Sequence, residues 1–274
     1  MDHICNEFHS RSCFHPLCLI YWDGVMLQNQ KNTERKGKMK IATNMLFLLI
    51  LLTPVTIFAQ SGNQPAKNPD GVDLFASQNL DDWDFFSDDP SLKKEDVWSF
   101  TKEGYLFCTG KPIGFLCTKK EDYRDFKLTV QWRWPEGVEP TNSGVFLRLN
   151  GQFRPLPCCI EAQLKHGDAG DIWTFHGFGL EGYDNTRVRR VDNHELGGKM
   201  AGITKLFDAE NKPGEWNTYE ILCQGGTVVL SVNGRIINWT KDIGDKFGRI
   251  GLQSEGGPIE FRNFIVTPLN RTEN

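Results

Sequence analysis

Residues Phe126–Trp134 read FKLTVQWRW, with Phe126, Leu128, Val130, Trp132 and Trp134 alternating with Lys127, Thr129, Gln131 and Arg133. Successive side chains of a strand point to opposite faces, so this period predicts a half-buried strand with one apolar face on a core. The chain repeats the pattern in shorter form on both sides. Strands are expected at Val97–Thr101, Tyr105–Cys108, Phe115–Thr118, Val145–Leu149, Ile160–Lys165, Trp216–Gln224, Thr227–Val232, Arg249–Ser254 and Ile259–Pro268. Glycine-bearing breaks separate them: EGY, GKP, QGGT, NGR and EGGP. TVVLSV-NG-RIINWT is a hairpin, because Asn233–Gly234 suits a type I′ turn. After the N-terminal region no helical period exceeds two turns. The fold expected is all-β, a jelly-roll β-sandwich of two antiparallel sheets.

One region breaks the rhythm. Gly167–Pro213 shows little alternation, yet carries Trp173, Phe175, Phe178 and Tyr183. A long irregular segment inside a compact domain is usually functional or disordered, and this aromatic content argues against disorder. A folded lid over a sheet face is expected.

The N-terminal region reads differently. Met45–Phe58 is an apolar run broken by Pro54 and shorter than a comfortable bilayer span. Lys36, Lys38 and Lys40 precede it, and Ala59 follows. That is the pattern of a secretory signal. Residues 39–59 are read as the signal peptide, 1–38 as an over-extended start, 60–69 as a linker and 70–270 as the folded domain. The protein is then periplasmic or secreted, with no stable membrane anchor after cleavage near Ala59.

A net charge of −4 and the absence of a polybasic run exclude nucleic acid as a partner. The cysteines beyond the signal are Cys108, Cys117, Cys158, Cys159 and Cys223. Cys108 and Cys117 flank the GKP turn symmetrically, which fits either a cross-strand disulfide or two small buried side chains. None has the spacing of a zinc site.

Candidate chemistry concentrates in NSGVFLRLNGQFRPLPCCIEAQLK, Asn142–Lys165. As strands, Ile160, Ala162 and Leu164 face one way and Glu161, Gln163 and Lys165 the other. Val145, Leu147 and Leu149 likewise oppose Phe146 and Arg148. If the strands are neighbours, a cation and a carboxylate meet on a face free of the core. A glycosidase needs two carboxylates, and Gln163 does not ionise, so a second would come from Glu255, Asp171 or Asp168. Taken singly, Glu161 fits a solvated strand position equally well. His166, Asp168, Asp171 and His176 are candidate ligands for a divalent metal, and equally fit a polar loop. Arg148 and Arg262 are candidate partners of a carboxylate or a sugar oxygen. Trp173 and Phe175 fit either a sugar platform or the core. GxSxG, Walker and HExxH motifs are absent.

The ordered phrases go further than single residues. VDLFASQNLDDW, VWSFTKEGYLFCTG, DYRDFKLTVQWRW, NSGVFLR, IEAQLKHGDAGDIW, GEWNTYEILCQGGTVVLSVNG and GRIGLQSEGGPIEFRNFIVTPL resemble the 3-keto-disaccharide hydrolase domain family over about Val72 to Leu269. Pro157-Cys158-Cys159 departs from the glycine-and-tyrosine phrase usual there, and the lid is longer. The resemblance implies a concanavalin-like jelly roll, exported by bacteria and acting on glycosides whose third hydroxyl has become a ketone. On such a substrate, Glu161 or His176 is expected as general base, with Arg148 or a metal stabilising the enolate. Gln163, Glu255, Trp173 and Arg262 would position the sugar. The rival expectation is a non-catalytic carbohydrate-binding domain, since one fold serves both.

Overall fold

In the computed structural model, the residues described are 71–179 and 185–269. The segments read as extended start, signal peptide and linker lie outside them. Strands are numbered β1 to β16 in chain order. The first sheet runs β14 (Arg235–Thr240), β13 (Thr227–Val232), β12 (Asn217–Gln224), β6 (Phe126–Arg133), β16 (Ile259–Pro268), β4 (Leu106–Cys108) and β3 (Trp98–Phe100), with β1 (Val72–Asp73) also on β16. The second runs β10 (Val188–His194), β11 (Gly198–Ile203), β9 (Ile172–Thr174), β8 (Cys158–Gln163), β7 (Gly144–Asn150), β15 (Arg249–Ser254), β5 (Gly114–Thr118) and β2 (Trp83–Ser87). Every pairing between these strands is antiparallel. One helical turn, α1 (Lys94–Val97), precedes β3. The expected all-β sandwich of two antiparallel sheets is the fold.

FKLTVQWRW is the central strand β6, between β12 and β16. Its Phe126, Leu128, Val130 and Trp132 are buried, while Lys127, Thr129 and Arg133 are half-buried. Across the core they join Val145, Leu147, Ile160, Ala162 and Leu252 of the second sheet in one apolar cluster. Each such fully buried side chain contributes about 1.5–3 kcal/mol. Asn233 and Gly234 turn β13 into β14 with φ of 51° and 76°, the two positive values a type I′ turn needs.

Three expectations change. Part of the region read as a lid is sheet: β9, β11 and β10 extend the second sheet beyond β8. Strict alternation in Val145–Leu149 also fails. The β7 register shifts between Leu147 and Asn150, and Arg148 has φ of 52°. That bulge returns Leu149 to the face of Phe146, in a second apolar cluster with Phe115, Cys159, Leu156 and Phe175. Finally, Cys108 lies on β4 of the first sheet and Cys117 on β5 of the second, both buried free thiols. The GKP turn crosses between sheets instead of closing a hairpin, so the two cysteines are not cross-strand neighbours.

Candidate active site

Register builds the site. Across the second sheet, Gly251 of β15 stands opposite Phe146 of β7, Phe146 opposite Glu161 of β8, and Glu161 opposite Trp173 of β9. Trp173 is opposite Gly202 of β11, which is opposite Arg189 of β10. Directly opposed residues share a face, so Glu161 is flanked by two aromatic side chains. The glycines make the row fit. A Cβ on Gly202 would stand 2.6 Å from the Trp173 ring, and one on Gly144 would collide with the Glu161 carboxyl. Arg189 lies over the Trp173 ring, 4.7 Å from its centroid, and donates to Asp171 Oδ2 at 2.5 Å.

Beside this row opens a cleft of about 150 Å³ lined by Asn142, Glu161, Gln163, Trp173, His194, Gln253 and Glu255, among others. Its polarity is unusual. Oε1 of Glu161, Oδ1 of Asn142 and Oε1 of Gln253 are buried without a hydrogen-bond partner. Unpaired buried polar atoms are costly, and three converging on one cleft mark a surface shaped for a polar ligand. Gln163 is used differently: its Oε1 accepts from the backbone N–H groups of Leu164 and Lys165 at 2.9 and 2.8 Å. That leaves its Nε2 for the cleft.

The two carboxyls differ in setting. Glu161 is 3% exposed. Burial, and then the negative charge of Glu255, push its pKa well above the usual glutamate range. Burial also raises Glu255, but the Asn142 and Gln253 amides and the charge of Lys165 oppose the rise. Glu161 is therefore the group that keeps its proton, and Glu255 the one that gives it up first.

Of the residues singled out in the sequence, the structure brings together Glu161, Gln163, Glu255, Trp173 and Phe175. Arg148 is elsewhere. Its guanidinium is fully buried, donates to the carbonyls of Arg124 (3.0 and 2.7 Å) and Gly244 (3.2 Å), and lies 3.6 Å from Asp125. The bulge has turned it away from the Glu161 face. Arg262 is on the first sheet, donating to Gln131 at 2.7 Å and stacked over Trp216 at 4.1 Å. His176 is not among the residues lining the cleft; its Nε2 meets the Leu156 carbonyl at 2.8 Å.

The proposed metal ligands do not converge. His166 meets Glu210 at 3.1 Å, Asp168 pairs with Lys165 at 3.1 Å, and Asp171 holds Arg189 and the Lys205 N–H. Among the described residues no group of three His, Cys, Asp or Glu side chains is placed to hold a metal ion. Sequence reasoning missed Asn142, His194 and Gln253. The signal for His194 was NHELGGK, a polar run closing on Gly197-Gly198 as a hairpin end does.

Residues 70–267 match the family described as the 3-keto-alpha-glucoside-1,2-lyase-like domain. The chain belongs to that family. Membership supports a carbohydrate-related activity, as the sequence phrases implied. Solved structures agree on the fold. A putative glycosyl hydrolase from Parabacteroides distasonis ATCC 8503 aligns at 22% identity and a TM-score of 0.51, over 73% of this chain and 99% of its own. A second from the same organism aligns at 18% identity and 0.50, over 73% and 94%. None of the curated proteins matches the chain. Among the described residues no helix is long and apolar enough to cross a membrane.

Proposed function

We propose that this member of the lyase-like family cleaves 3-keto-glycosides by elimination across C1 and C2, with Glu255 as base and Glu161 as acid. The observation that carries the reading is the Glu161 carboxyl itself. It is buried between Phe146 and Trp173, raised in pKa, unpartnered at Oε1, and shares its cleft with a second, less buried carboxyl. Two carboxyls whose surroundings separate their proton affinities divide acid and base roles between them.

A ketone at C3 acidifies the proton on C2. The Glu255 carboxylate accepts that proton, and the C–H electron pair moves into the C2–C3 bond as charge gathers on the 3-oxygen. The pair then forms the C1–C2 double bond as the C1–O1 bond breaks. Glu161 donates its proton to the departing glycosidic oxygen. Glu255 is left protonated and Glu161 ionised, and transfer of one proton between them restores the starting state. Water added across the new double bond turns the elimination into net hydrolysis. The Gln163 and Gln253 amides orient the sugar.

The division of labour differs from the sequence expectation, which made Glu161 or His176 the base. The burial of Glu161 and the neighbouring charge favour the protonated form, and a protonated carboxyl is an acid. Incubating the protein with 3-keto-trehalose and following free 3-keto sugar tests the reading. Turnover by the wild type, lost in both Glu161→Gln and Glu255→Gln, is expected. Undiminished turnover in either variant rejects its assigned role. The same reading takes residues 39–59 as a signal peptide and the enzyme as exported, for which the measurement is the N-terminal residue of the mature protein recovered from cell fractions.

A further inference from the structure

We infer that His194, at the end of the β10–β11 hairpin, is a catalytic hydrogen-bond donor that places its Nε2–H on the 3-oxygen of the ketosugar. The inference rests on the elimination proposed above and supplies the one part that reaction still lacks, a group to receive the enolate charge. Arg148 cannot fill it, since its guanidinium is fully buried on the carbonyls of Arg124 and Gly244.

The geometry of the hairpin end sets the ring. β10 closes on His194, three residues follow, and β11 begins at Gly198. Within that turn the backbone N–H groups of Leu196 and Gly197 both donate to Nδ1 of His194, at 3.3 and 3.1 Å. A ring nitrogen that accepts two backbone hydrogen bonds carries no proton, so in the neutral ring the N–H is at Nε2. The ring borders the cleft with Asn142, Glu161, Gln253 and Glu255.

The turn is itself anchored. The Gly197 carbonyl accepts from the His176 N–H at 2.9 Å, and the His176 ring is fixed to the Leu156 carbonyl. Gly198 leaves room for that ring, because a Cβ there would stand 2.8 Å from His176 Nδ1. His176, one of the sequence candidates for the base, is thus a positioning residue for the turn that carries His194. A donor held by backbone groups at the edge of the cleft costs little reorganisation when charge develops, which is what makes such donors effective.

The test compares His194→Ala with His194→Gln on 3-keto-trehalose. Glutamine retains an N–H donor at similar reach but neither takes up nor releases a proton. The alanine variant is expected to lose roughly 100- to 1000-fold in kcat with KM nearly unchanged, the usual cost of one oxyanion donor. The glutamine variant should recover to within about tenfold of wild type, a deficit of at most about 1.4 kcal/mol in the barrier. Equal loss in both variants would mean that His194 carries a proton, and full activity in the alanine variant would make it a bystander; either overturns the inference. His194 is exposed, so both variants should keep the wild-type melting temperature. A fall confined to melting temperature, with kcat per folded molecule intact, also overturns it. If the wild type leaves the ketosugar uncleaved, the elimination itself is wrong and the role of His194 goes with it.

Discussion

Gly144 and Glu161 occupy one space between β7 and β8: the glycine has no side chain because the glutamate carboxyl fills the place where its Cβ would be. Gly144 is the residue that lets a carboxyl lie flat in the sheet, where burial and the neighbouring Glu255 raise its pKa.

Gly144→Ala therefore tests the placement of Glu161. The added methyl meets the carboxyl, not the backbone, so Glu161 has to leave its position. Overpacking of this kind costs about 1–3 kcal/mol of stability, and displacing a catalytic group by about 1 Å costs on the order of 100-fold in rate. Urea unfolding and kcat should show both. A stability loss with unchanged kcat would mean that the position of Glu161 is immaterial to turnover.

Glu161→Gln should stabilise the protein at neutral pH. The folded-state pKa of Glu161 is raised, so above the ordinary glutamate range the folded chain holds a proton that the unfolded chain has released. Stability then falls as pH rises through that window. Glutamine removes the effect. At pH 7 the variant is expected to be more stable than wild type, and below the unfolded-state pKa the gain should vanish. A variant less stable than wild type at pH 7, or a gain that persists in acid, would contradict the assignment of a protonated Glu161.

The acid role of Glu161 predicts a dependence on the leaving group. A sugar alkoxide needs a proton as it departs, whereas 4-nitrophenolate does not. Glu161→Gln should lose about 100- to 10,000-fold on 3-keto-trehalose, the range of general acid–base catalysis, and far less on 4-nitrophenyl 3-keto-glucoside. Glu255→Gln should be equally impaired on both, because C2 deprotonation is common to them. Equal losses on the two substrates in Glu161→Gln would remove it as the acid.

Arg148 is a structural cation. Removing it leaves the Arg124 and Gly244 carbonyls without their buried donor and the Asp125 carboxylate, 3.6 Å away, without its positive charge. Breaking a buried charged network costs about 3–5 kcal/mol. Arg148→Met should lower the melting temperature strongly while kcat per folded molecule stays within a few-fold. A selective loss of kcat at wild-type stability would return Arg148 to the active site.

The sequence made the sandwich readable wherever one strand face is buried and the other is not, as in FKLTVQWRW, or where a turn has a single chemistry, as at Asn233–Gly234. It hid β9, β10 and β11 for physical reasons. Ile172–Thr174 is too short to show a period, and most of Val188–His194 is exposed on both faces and therefore polar throughout. The bulge at Arg148 depends on a positive φ at a non-glycine residue, which no side-chain pattern announces. Glu161 and Gln163 were legible because they alternate with Ile160 and Ala162. Asn142, Gln253 and His194 were not, because only pairing across the sheet brings them to the same cleft.

The measurement that bears most directly on the central claim pairs 3-keto-trehalose with unoxidised trehalose and follows each by mass spectrometry. The account predicts that wild-type protein converts only the ketosugar, giving glucose together with an unsaturated 3-keto sugar or its hydrate, with exchange of the C2 proton when the reaction is run in deuterium oxide. Cleavage of both sugars alike, without deuterium at C2, would contradict the elimination and point to an ordinary glycosidase. Binding of plain glycans with no cleavage of either would leave a carbohydrate-binding domain.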